Sequence, residues 1–205
     1  MQDALGDWPQ ESHLSPQMLR SLRGLNHRFL DLAAARPEWA ALRVSQLSSA
    51  QREAAAACPY ALFDLRFQEE SYWQQRLQIF DSWRVADAAI ADETVAGEAR
   101  VDEATASFAR LALFYAWHVA SNASLTAQLL LGMSGPTVVA FRRITVNRLP
   151  SLVPREAAHL SVRWSGCTAY WSALVAAASR TDSAALKRVQ LYGLQLAAAA
   201  RLGEP

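Results

Sequence analysis

A chain of 205 residues, 52% hydrophobic, with 20 Lys and Arg against 19 Asp and Glu, can bury a sizeable core and carries a net charge of only +1. It is neither a basic nucleic-acid coat nor an acidic disordered tail. Only 8 Gly and 8 Pro occur in an Ala-, Leu- and Arg-rich composition, which reads as all-α or mainly α and not as a sandwich or barrel.

Residues 1–13 carry acids and no apolar run, so they are expected to be a flexible N-terminus and not a signal peptide. Ser15-Pro16 is an N-cap followed by a first-turn proline, and Leu19, Leu22, Leu25, Phe29 and Leu32 then recur at helical spacing. Pro37 ends that helix and starts a short one through Trp39, Leu42 and Leu47. Ser48 and Gln51 form a capping box for an Ala-rich helix reaching Cys58-Pro59. Phe63, Leu65 and Phe67 alternate with Asp64 and Arg66, a strand pattern. Helix resumes near Glu69 and runs to about Ala91, and the acidic stretch 92–103 reads as a linker.

A long apolar helix is expected over Ala104–Leu131, a turn at Gly132-Met133-Ser134, and a short helix to about Arg143. Thr145 can cap the next helix, which Pro150 and Pro154 shorten. Leu160, Val162 and Trp164 alternate with Ser161 and Arg163 as a second strand pattern, before helices at about Cys167–Ser179 and Asp182–Leu202. At a shift of 97 residues, Phe63–Phe67 falls on Leu160–Trp164 and Leu47-Ser48 on Ile144-Thr145. The chain therefore reads as two similar helical units, 14–91 and 104–205, whose extended segments could pair as a short ribbon.

Little in the chain speaks for catalysis. His13, His27, His118 and His159 show no HxxxH or HExxH spacing, and His118, among the aromatics of FYAWHVA, reads as a core histidine. Cys58 and Cys167 lie far apart with no CxxC, so a disulfide framework and a thiolate zinc site are not expected, and a reducing cytosol fits best. No phosphate-cradling loop or nucleophile elbow is present. The expectation is a non-enzymatic protein without cofactor or metal. The weakly polar stretches 112–120 and 129–133 are too short to span a bilayer, so no membrane role is expected and the cytoplasm is the expected location.

Charge is uneven along the chain. Residues 1–104 hold 16 acids and 10 bases, whereas residues 105–181 hold one acid, Glu156, and seven arginines. Such asymmetry fits either a basic face for a polyanion or ion pairing between the halves. Within the basic part, residues 125–149 (LTAQLLLGMSGPTVVAFRRITVNRL) resemble a helix-turn-helix. Leu131-Gly132-Met133-Ser134 supplies anchor, turn, second anchor and cap. The candidate DNA-binding residues are Ser134, Thr137, Arg142, Arg143, Asn147, Arg148 and Arg155, since Arg reaches phosphates or guanine and Asn reaches adenine.

The order LG-M-S, F-x-x-I-T, L-x-x-L, L-x-V-R-W resembles the subunits of the bacterial flagellar master transcriptional regulator. The resemblance covers Leu131-Gly132-Met133-Ser134, Phe141, Ile144-Thr145, Leu149 and Leu152. It implies a helical, cytoplasmic protein working in hetero-oligomers on promoter DNA. With only Cys58 and Cys167 present, the four-cysteine zinc site of the DNA-contacting subunit is missing, so the likeness is closer to its partner subunit. The resulting expectation is a regulatory or transcription-complex subunit that meets DNA and a protein partner or a second copy. The alternative is a helical adaptor acting through protein contacts alone.

Overall fold

The computed structural model describes residues 14–82 and 101–202. Expectations for residues 1–13, for the end of the helix expected to reach Ala91 and for most of the 92–103 linker fall outside them. Helix α1 (Pro16–Ala34) starts where Ser15 accepts the Met18 amide at 3.1 Å, and buries Leu22, Leu25, Phe29 and Ala33 along one stripe. Two 3-10 turns, Pro37–Leu42 and Val44–Gln46, replace the short helix expected after Pro37. Helix α2 (Ser49–Ala56) has the expected capping box between Ser48 and Gln51. Strand β1 (Phe63–Asp64) precedes α3 (Glu70–Ser82).

In the second half, α4 (Glu103–Asn122) begins at Asp102, whose carboxylate accepts the Thr105 amide at 3.0 Å. The end of the expected linker is thus a helix cap. The long apolar helix expected to continue to Leu131 breaks instead at Ala123, where φ −152° and ψ 86° leave the helical region, and α5 (Ser124–Leu131) follows. Then come α6 (Gly135–Arg143), a 3-10 turn at Val146–Arg148, α7 (Leu149–Ala158), strand β2 (Ser161–Val162), α8 (Thr168–Ser179) and α9 (Ser183–Leu202). Thr145 makes no side-chain cap, whereas Asp182 caps α9 by accepting the Ala184 and Ala185 amides.

The architecture is mainly α with one two-stranded antiparallel ribbon, Phe63 opposite Val162 and Asp64 opposite Ser161. The two halves share one buried cluster, in which α1 packs on α4, α2 on α8 and α3 on α6. Asn26 ties α1 to the ribbon: its Oδ1 accepts the Leu62 amide at 2.9 Å and its Nδ2 donates to the Tyr60 carbonyl at 2.8 Å. Buried amides need such partners, and this one side chain satisfies several backbone groups at once.

The halves resemble one another in part of their element order, but not in one 97-residue register, and α5 and α9 have no counterpart among the described residues of the first half. The capping residues Ser15 and Asp102 are 87 apart, and at that spacing Leu22, Leu25, Phe29 and Ala33 fall on the buried Ala109, Ala112, Ala116 and Ala120. After the first helix three pairs of element starts lie 98 apart, Pro37 and Gly135, Phe63 and Ser161, Glu70 and Thr168, whereas α2 and α7 start 100 apart. Arg66 and Trp164, also 98 apart, both take left-handed backbone, φ 57° and 54°. Beyond each, a buried tryptophan turns back to the preceding loop. Trp73 Nε1 donates to the Arg66 carbonyl at 3.0 Å and Trp171 Nε1 to the Arg163 carbonyl at 3.1 Å. The equivalence of Phe63–Phe67 with Leu160–Trp164 is therefore displaced by one residue. The eleven extra residues of the second half coincide with α5 and its flanking turns.

Candidate nucleic-acid and partner interface

Helices α5 and α6 meet at 117°, within the range of about 90–120° that helix-turn-helix units take. Gly132 makes this corner possible. It stands at φ 73°, a backbone region that costs other residues about 1–2 kcal/mol. Met133 is buried behind it, and Ser134 caps α6 by accepting the Thr137 amide at 3.1 Å. Val138 and Phe141 are buried in the core, and Phe141 packs edge-on against Trp73 with ring centres 4.6 Å apart.

The candidate residues divide by exposure. Thr137 is 0% exposed and shares its hydroxyl with Ser134 at 2.8 Å, so both side chains serve the corner itself. Arg142, Arg143 and Asn147 are exposed, while Arg148 and Arg155 are half-buried. Arg142 and Arg143 close the last turn of α6, where cations also favour the helix dipole. Neither is in an ion pair among the described residues. The outward face of the first two turns of α6 carries Gly135, Pro136 and Val139, none with a hydrogen-bonding side chain. Base edges are usually read from that end of a recognition helix. On α5, Leu125 and Leu129 also face solvent, at 47% and 43% exposure.

Asp31, Glu38 and Glu69 pair with Arg52, Arg36 and Arg66 of their own half. Arg36 also pairs with Asp102 at the start of α4, itself an acid of the 1–104 stretch, and Glu156, the one acid of residues 105–181, pairs with Arg76 at 3.2 Å. Glu156 is 0% exposed. Its carboxylate also accepts from the Tyr72 hydroxyl at 2.8 and 2.9 Å, and burial holds its pKa above the ordinary carboxylate value. Arg163, one of the seven arginines of the basic segment, is buried and belongs to no surface patch.

Among the groups weighed for catalysis, Cys58 is buried, with its thiol pKa pushed up to about 11 by burial. His118 does not lie in the core as expected. It faces solvent on α4 and meets the Asn122 amide at 3.3 Å. Among the described residues no group of three or more His, Cys, Asp or Glu is placed to hold a metal ion, and no single helix is long and apolar enough to cross a membrane. No family model, curated protein or solved structure matches the chain.

Proposed function

We propose that this protein is a non-enzymatic subunit of a transcription-regulatory assembly. It touches duplex DNA with the C-terminal end of α6 and takes its sequence preference from a partner. The observation that carries this reading is the pair Arg142 and Arg143: adjacent, exposed, unpaired with any acid among the described residues, and held by a helix corner of helix-turn-helix form. Their reach suits phosphates, which fix position without reading sequence. Asn147, exposed in the following turn, is suited to an adenine edge.

The correspondence of the halves fits a duplicated unit folded against its own copy, with α5 added to the second. At the 98-residue spacing, Val44 and Ser45 stand where Arg142 and Arg143 stand. Such a chain carries one basic corner and not two.

A second reading is favoured by Leu125, Leu129 and Val139, whose exposure on the same two helices suits a protein partner instead of DNA. A salt titration of binding to mixed-sequence duplex DNA separates the two. With two phosphates neutralised, the double variant Arg142→Ala/Arg143→Ala should reduce the slope of log affinity against log salt by about 2. An unchanged slope, or no binding by the parent protein with or without partner subunits, leaves the adaptor reading.

A further inference from the structure

A cavity of about 280 Å³ lies between the ribbon, the turn after α5 and the end of α9, walled by Asp64, Gln68, Gly132, Arg163, Ser165 and Ala200. It is smaller than the usual 300–1,000 Å³ of drug-sized sites, so it suits a ligand of few atoms. Its back wall is Arg163, only 6% exposed. Nη1 donates to the Leu130 carbonyl at 3.0 Å and to the Ala61 carbonyl at 3.4 Å, and the guanidinium lies 4.5 Å from the centre of the Trp164 ring. Nη2 is enclosed beside Gly132 and has no partner. A buried guanidinium with an unused donor is costly unless something supplies an acceptor.

The opposite charge stands in the same cavity. Asp64, at the end of β1, uses Oδ1 to accept the Phe67 amide at 3.1 Å and makes no direct ion pair with Arg163. The ribbon thus fixes one cation and one anion on the walls of a small space without joining them. Gln68 and Ser165 add neutral hydrogen-bonding groups.

We propose that this cavity binds a small zwitterion of the amino-acid class, with its carboxylate on the Arg163 guanidinium and its ammonium on the Asp64 carboxylate. A plain anion would leave Asp64 opposed to it, and a plain cation would leave Arg163 unsatisfied. Gly132 forms one wall, so the bound molecule touches the turn between α5 and α6. The proposal does not depend on what that corner meets outside.

The test is calorimetric titration of the full chain with each of the common amino acids, with the matching acids that lack the amine, and with inorganic phosphate. At least one amino acid should saturate, and its deaminated counterpart should bind at least ten-fold more weakly. Asp64→Asn keeps an acceptor for the Phe67 amide and should erase that preference. Ala200→Glu, on the exposed rim, should abolish binding without disturbing the fold. Failure of every amino acid to saturate, equal binding of the plain carboxylates or of phosphate, or binding indifferent to both variants would overturn the proposal.

Discussion

Arg163 and Gly132 fit together only because Gly132 has no side chain. A β-carbon built on Gly132 would lie 2.5 Å from Arg163 Nη2, inside any permitted contact. Two independent demands fall on this one residue, a left-handed backbone at φ 73° and room for a buried guanidinium. The corner that presents Arg142 and Arg143 and the wall of the Arg163 cavity are therefore the same turn.

Gly132→Ala should destabilise the protein by about 1–2 kcal/mol from the backbone alone, and by more once the guanidinium is displaced. Urea unfolding measures it. A loss below about 0.5 kcal/mol would show that the turn relaxes easily and that the corner is not held by this contact.

Two helical glycines should respond with opposite sign. Gly24 on the exposed face of α1 has nothing within 4 Å of an added β-carbon, so Gly24→Ala should stabilise by about 0.5–1 kcal/mol. On Gly193 in α9 the same methyl would overlap the Tyr60 ring, whose hydroxyl bonds to the Val189 carbonyl at 3.3 Å and to Tyr170 at 3.2 Å. That ring is pinned, so overpacking of about 1–3 kcal/mol outweighs the gain in helix propensity. Thermal melts of the two variants should move in opposite directions; a stabilised Gly193→Ala would mean that α9 is not seated on Tyr60.

Glu156 sets a pH dependence opposite to that of an ordinary paired carboxylate. Burial is the largest influence and raises its pKa above 4.5, against the pull of Tyr72 and Arg76. The folded state then binds the proton more tightly than the unfolded state. The stabilisation tied to this group is full below about pH 4.5 and is lost as pH rises through the higher folded value. Glu156→Gln removes the titration, so the stability of the parent relative to this variant should fall as pH rises from below 4.5 towards neutral. Denaturant unfolding across that range measures the difference, and a constant or rising difference would contradict the assignment.

Local signals in the sequence were good guides where local chemistry decides the structure. The caps at Ser15, Ser48 and Ser134 and the turn at Gly132 all lie where the residue types place them. The ribbon could be anticipated from two short alternating segments, because period two exposes and buries in turn. The break at Ala123 could not, since the run from Leu111 to Leu131 contains neither Gly nor Pro. The aromatics around His118 suggested burial, but Tyr115, Ala116, Val119 and Ala120 face the core and their spacing turns His118 outward. Arg163 was hidden for a different reason. Alternation should place it outside after Val162, but the strand stops there and the left-handed Trp164 folds the chain back over it. The exposed arginines of the corner were legible as residue types, whereas the partners that Asp31, Glu38 and Glu69 find within the first half depend on the fold.

The central claim, that the end of α6 is the surface that meets DNA, is tested most directly by amide and arginine NMR shifts of the chain on titration with a short mixed-sequence duplex at low salt. The account predicts perturbations concentrated on Arg142, Arg143 and Asn147 and on the neighbouring 143–148 backbone, fading as salt is raised, with the corresponding first-half segment around Val44 and Ser45 unmoved. Perturbations centred elsewhere, or spectra that stay unchanged at low salt with partner subunits present, would contradict it.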